Sequence, residues 1–255
     1  MKSYIGKSWK AIFHPIMLVV FCAAFCILSL SSIAASQSAE DLIFIVFGGI
    51  EISEIADNLN FLAVAKWFLL LSPLLLSVGY SISKEMTEMS PYVIPRHASY
   101  KRWWQIKMGH LLAMCFLYCF LGFLIVQVMF FIVRGNLSIL FNRSFFLLWL
   151  LCIVHLFLLC MLMLVSYTVT RSQAFSVSIT LGLEGLTLIE GLLSPGKAKF
   201  MPGTWGMYLQ SASNNPQRGF NIIAVALIQS SVILIFFFLV PIWMKRNGTA
   251  SVKSL

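Results

Sequence analysis

Apolar runs of membrane-spanning length recur along the chain, separated by short polar stretches. A helix needs about 20 mostly apolar residues to cross a hydrocarbon core roughly 30 Å thick. Six segments meet that length, over roughly 16–35, 61–82, 108–133, 145–169, 174–193 and 220–244. They predict an all-α integral membrane protein with six transmembrane helices, folded as a single transmembrane domain over 1–255. Residues 1–14, MKSYIGKSWKAIFH, are basic and amphipathic. They read as an interfacial helix lying on the membrane before the first span, or else as an ordinary positive flank to it. The first apolar run ends in SLSSIAASQSA, a sequence open to cleavage as a signal peptide. Its length from Ile16 to Ala35 favours an uncleaved spanning helix instead.

Two polar stretches stand out. Residues 36–60 carry Glu40, Asp41, Glu51, Glu54 and Asp57 around the short piece LIFIVFGGI. That piece is too short to cross and is expected to dip into the interface or lie on it. Residues 194–219 are rich in Gly, Pro, Ser and Asn and read as a long loop before the last span.

Composition supports the membrane reading. Hydrophobic residues make up 60% of the 255, and charged residues 11%, against roughly 45–50% and about 25% in soluble domains. The net charge of +9 would suggest nucleic acid in a soluble protein, but here its placement matters more. With the N-terminus inside, twelve of the 18 Lys and Arg residues fall on the cytoplasmic side and six outside. This positive-inside bias puts both termini in the cytoplasm of a plasma-membrane protein, with the acids of 36–60 facing outward. No nucleic acid is expected as a partner; membrane lipid is. The six cysteines (Cys22, Cys26, Cys115, Cys119, Cys152 and Cys160) all lie within apolar runs. They read as small buried apolar residues rather than as a disulfide framework.

Missing motifs narrow the chemistry. No G-x-x-x-x-G-K-[ST] phosphate loop is present, and the GKS at Gly6–Ser8 lacks the upstream glycine. Neither H-E-x-x-H nor G-x-S-x-G occurs, and His14, His97, His110 and His155 are scattered over different segments. The chain is therefore expected to be no enzyme: it has no catalytic residues, metal ligands or cofactor of its own.

The segment Ser83–Lys107, SKEMTEMSPYVIPRHASYKRWWQIK, is the first of two that carry candidate function. Pro91 and Pro95 divide it into short pieces. Beyond Pro95, Arg96, Ser99 or Tyr100, Trp103 and Lys107 recur at helical spacing. Trp103 and Trp104 suit the headgroup level, and Glu85, Glu88 and Arg96 would be exposed to a cytoplasmic partner. An acid just after span two, a Pro-Arg-x-x-Ser pattern, aromatics, and a lysine opening span three together resemble the permease subunits of type-two ABC exporters. The matching residues are Glu85, Pro95, Arg96, Ser99, Trp103, Trp104 and Lys107. The second tryptophan and the additional acid Glu88 depart from that pattern, and leave open which acid makes the contact. The resemblance implies that residues 83–107 are a cytoplasmic coupling loop meeting a separate ABC ATPase subunit, in two copies, which binds the ATP and Mg. It also implies a second permease copy or a sister permease.

Span five, AFSVSITLGLEGLTLIEGLL, is the second such segment. Ala174, Ser178 and Gly182 form a small-residue stripe expected to let another helix approach. Glu184 and Glu190 are ionisable groups at membrane depth, each costing roughly 2.5–3.5 kcal/mol at the centre of a lipid-facing helix. Glu184 reads either as a buried, hydrogen-bonded packing residue or as a residue of the translocation path or gate. Glu190 reads as a path residue or as one reaching the outer interface. Lys66 is a candidate partner for them, or snorkels to the headgroups. The expected function is the permease subunit of an ATP-driven exporter of amphipathic or hydrophobic cargo, with a peptide favoured. The alternatives are an ATP-independent, proton-coupled carrier and a membrane scaffold or immunity protein.

Overall fold

The computed structural model describes residues 15–50, 61–85, 100–135, 143–194, 197–213 and 219–252. Seven α-helices run through them: α1 (Pro15–Ser32), α2 (Ala39–Phe47), α3 (Phe61–Lys84), α4 (Tyr100–Arg134), α5 (Arg143–Thr170), α6 (Gln173–Leu193) and α7 (Ile222–Val252). Three single 3-10 turns, Ala198–Phe200, Pro202–Thr204 and Tyr208–Gln210, lie between α6 and α7. No β-strand occurs among the described residues. Helices α3 to α7 are each long and apolar enough to cross a membrane. Helix α1 lies where the first span is expected, but its apolar part, Met17–Ser32, is shorter. The chain is thus an all-α, multi-pass membrane protein. The proposed interfacial helix over 1–14 lies outside the described residues.

The helices sort apolar side chains between the bundle and lipid. On α4, Leu112, Phe116, Phe120 and Leu124 recur every fourth residue and face outward, while Leu111, Cys115, Tyr118 and Cys119 are buried. Helix α5 is the most enclosed of the spans and α7 the least. Within α3, Pro73 removes one rung of the backbone ladder. The Tyr118 hydroxyl of α4 donates to Leu70 O in the same turn, at 2.6 Å. Cys115 faces Cys160, and Cys119 faces Cys152, with sulfurs 3.8 and 3.7 Å apart across the α4–α5 seam. These thiols are buried packing groups.

One end of the bundle is capped by polypeptide. Helix α2 opens with a capping box, in which the Ser38 hydroxyl accepts from Asp41 N and the Asp41 carboxylate accepts from Ser38 N. Its apolar face, Leu42, Ile43, Val46 and Phe47, is buried, so the short piece seen in the sequence dips into the bundle. Phe47 stacks on Phe25 of α1 and Phe123 of α4. The 3-10 turns fold back over this end rather than forming an extended loop. Leu209 N donates to Gly48 O at 2.9 Å, and the Gln210 side-chain amide donates to Ile50 O at 2.7 Å. Gly49 adopts φ +86°, with the position of a Cβ only 2.5 Å from Met207 Cβ, so a side chain there would be both strained and blocked. Lys66, at the start of α3, donates to Ser31 O and Ser32 Oγ at 3.3 and 3.1 Å, stitching α3 to the end of α1.

Three sequence-based boundaries move, one of them the end of span six, since α7 runs to Val252 rather than 244. Span three begins earlier than 108, because α4 already starts at Tyr100. The segment 83–107 is therefore not one loop: its last eight residues belong to a continuous 35-residue helix, and Lys84 closes α3. Trp103 and Trp104 are 3% and 0% exposed. They are core residues of the bundle end, and the headgroup-anchor reading is corrected. With Lys107, they put the first turns of α4 against the end of α3 rather than on the membrane surface.

Candidate functional site

The described bundle holds two buried charge clusters, each built by residues from different helices. The first lies at the end opposite the cap, where α3 finishes and α4 begins. Glu85 follows the last turn of α3, and Trp103 and Lys107 sit four residues apart on one face of α4. The Trp103 indole N–H donates to Glu85 Oε1 at 3.1 Å, and the Lys107 ammonium donates to Glu85 Oε2. Glu85 and Lys107 are 7% and 4% exposed. A buried pair of this kind survives because each charge loses its water only in exchange for the other. The arrangement fastens the two helix ends that flank 86–99.

Of the seven residues expected at the coupling element, the structure brings Glu85, Trp103 and Lys107 together in this clasp. Trp104 packs behind them. Glu88, Arg96 and Ser99 lie outside the described residues. The expectation that Glu85 faces a partner is corrected: its carboxylate is turned inward onto Lys107 and Trp103.

The second cluster lies about halfway along α6. Glu184 is 2% exposed, and its Oε1 accepts the Trp67 indole N–H of α3 at 3.1 Å and lies 3.0 Å from His155 Nε2 of α5. His155 is 1% exposed, and its Nδ1 is buried with no hydrogen-bond partner. Three spans meet through these side chains. Gly185 beside them lets Phe68 of α3 approach, since a Cβ there would lie 2.9 Å from the Phe68 ring. The cluster is roofed by the 3-10 turns. Gly203 packs on the α6 backbone, where a Cβ would come within 2.5 Å of both Glu184 O and Leu188 N. The Gly203 N–H donates to the Thr187 hydroxyl at 3.0 Å. Gly206 lies over the imidazole, with its Cβ position 2.4 Å from His155 Cδ2.

Glu184 is accordingly a buried, hydrogen-bonded residue, and its partners are Trp67 and His155 rather than Lys66. Glu190 is exposed near the end of α6 and takes no part in the cluster. The stripe of Ala174, Ser178 and Gly182 also points outward, and nothing lies within 4 Å of a Cβ at Gly182. Packing within the chain uses Ser176, Val177, Thr180, Glu184 and Leu188 instead, together with Gly79, whose Cβ position is 3.3 Å from Val177 Cγ2. A Gly182→Leu chain is therefore expected to keep the wild-type unfolding midpoint in detergent; a clear loss would mean that the stripe supports the single chain after all.

His155 and Trp67 were not legible as site residues. A signal for His155 does exist: it stands alone in LLCIVHLFLLC, and a polar ring in such a run needs a partner on another span. Pairing it with the unexplained acid of span five would have located the site. No protein-family model matches the chain, and neither a curated protein nor a solved structure matches it.

Proposed function

We propose that the chain is the permease subunit of an ATP-driven ABC exporter in the plasma membrane. Its pattern of positive charge supports cytoplasmic termini, and counting α1, whose apolar part is shorter than the others, as a span gives six. The observation that carries the reading is the Glu85–Trp103–Lys107 clasp. Three residues that the resemblance groups as one motif converge in space, on either side of the segment assigned to coupling. A fastened pair of helix ends transmits a push on 86–99 to α3 and α4 together, which a loose loop would absorb. The ATP and Mg belong to a partner ATPase, and a second copy or a sister permease completes the pathway. Apolar outer faces and an acidic external stretch suit an amphipathic cargo, and a cationic peptide fits both.

The test is purification of tagged protein from native membranes in mild detergent. A stoichiometric subunit bearing a phosphate loop, with vanadate-sensitive ATPase activity, is expected. Arg96→Ala, or Glu88→Ala, should leave the chain inserted and the clasp intact while export falls and ATP hydrolysis loses its dependence on cargo. Recovery of the chain alone, or unimpaired export in both variants, would overturn the reading. A proton-coupled carrier is the second reading, favoured by the buried Glu184–His155 contact. It predicts transport without any ATPase and loss of transport in Glu184→Gln.

A further inference from the structure

We infer that Gln229 of α7 and Gln127 of α4 hold an internal water between them, at a depth where the outer faces of both helices meet lipid. The inference stands apart from the exporter reading, because it concerns how two spans are joined whatever the chain transports.

The sequence already sets both residues apart. From Ile222 to Ile242 the polar side chains of α7 are Gln229, Ser230 and Ser231 alone. Ser231 turns back on its own helix and donates to Leu227 O at 2.8 Å, which removes its need for a partner elsewhere. Between Lys107 and Arg134, Gln127 is the one carboxamide of α4.

The fold brings the two glutamines to one seam. Gln229 follows Ile222 and Val225 along the inward face of α7 and is 0% exposed. Gln127 is half-buried on the face of α4 that also buries Phe123, Val126 and Phe130. Helices α4 and α7 pack against each other, and they run antiparallel, since α4 ends and α7 begins at the capped end. Each glutamine is seven residues from that end of its helix, at Arg134 or Ile222. At 1.5 Å per residue, both lie roughly 10 Å below the end. Their chain neighbours Val128 and Ile228 are exposed apolar residues that face lipid, so the level is one of hydrocarbon.

Hydrogen-bond chemistry selects the guest. Gln229 Nε2, Gln229 Oε1 and Gln127 Oε1 are all buried without a partner among the described residues. A direct bond from Gln229 Nε2 to Gln127 Oε1 would still leave Gln229 Oε1 bare. The guest must therefore donate to both carbonyl oxygens and accept from the amide nitrogen. A cation supplies no acceptor and an anion no donor, and either would bring an uncompensated charge to membrane depth. Water does both, is neutral, and fits a packed seam. Three contacts, one from Nε2 and one to each Oε1, are the usual complement of a buried water. The water joins α4 to α7, the least enclosed of the spans.

The experiment uses the full chain in lipid bilayers, with glutamine labelled with carbon-13 and nitrogen-15, and measures magnetisation transfer from water to each side-chain amide by solid-state NMR. Assignment needs no variant, because Ile–Gln occurs once in the chain, at Ile228–Gln229, and Val–Gln once, at Val126–Gln127. Two residues set the scale: Gln37 is exposed, whereas the Gln210 side-chain amide is buried and bonded to Ile50 O. The Gln229 amide should gain water signal as fast as Gln37. A gain as slow as that of Gln210 would overturn the site. In Gln229→Leu, the Gln127 carboxamide should lose its water signal, because the shared guest loses two of its three contacts. An unchanged Gln127 signal in that variant would overturn the bridge between the helices. The wild-type spectrum decides the first point even if the leucine variant fails to fold.

Discussion

Lys107→Met is expected to lower the stability of the bundle by about 3–5 kcal/mol, the loss typical of removing one partner from a buried ion pair. The substitution keeps the length and the apolar stem of the side chain, so packing changes little. What disappears is the ammonium that neutralises Glu85 at a position where that carboxylate is 7% exposed. Reversible unfolding in mixed micelles gives the value. Glu85→Leu combined with Lys107→Met should recover most of the loss, because a buried pair replaced whole by apolar groups is often neutral. A double variant as unstable as the single one would show that the pair is not where the energy lies.

Gly203→Ala should have the second largest effect, about 1–3 kcal/mol by overpacking, with a local signature. The added methyl would meet two backbone atoms of α6, Glu184 O and Leu188 N, each at 2.5 Å. Neither can rotate aside, unlike the end of a side chain. The cap must lift, the bond from Gly203 N to Thr187 Oγ1 must break, and amide exchange over 201–211 should rise while that of α5 stays slow. Gly206→Ala is blocked by the His155 ring instead, and that ring is held by Glu184. Unchanged exchange in Gly203→Ala would mean that the cap is seated by its contacts to Gly48 and Ile50 alone.

The spans were legible because apolar length is a property of each segment by itself. The placement of α3, α5 and α6 follows the sequence reading closely, while α7 runs past the expected 244 to Val252. What could not be read was which polar groups meet. Glu85 and Lys107 both stand out in the sequence, Glu85 as an acid exposed to a partner and Lys107 as the lysine opening span three, but nothing there pairs them. Only the distance between the α3 and α4 ends turns them toward each other. The α6 stripe shows a related limit, since within this chain it faces outward and no helix of the chain takes it up. Ala174, Ser178 and Gly182 are small, yet size does not say which face of the helix the neighbours take. The face in use is the one bearing Glu184, whose need for donors outweighs the close approach that a stripe permits. The loop before α7 looked open because it is rich in glycine, whereas Gly203 and Gly206 are there to let backbone lie directly on helix and ring.

The buried contacts also have an order in time, because the chain is made from its N-terminus. Lys66 finds Ser31 and Ser32 already synthesised, 35 and 34 residues earlier. Glu184 emerges after both its partners, Trp67 117 residues before it and His155 29 residues before it. Among the described residues, Glu85 is the carboxylate that precedes its counterion, and Lys107 follows after only 22 residues. Entry of α3 and α4 as a hairpin would close that interval at once. Chain order thus leaves Glu85 unanswered only until Lys107 is made, and a chain truncated between 85 and 107 is expected to insert less stably than one that includes Lys107.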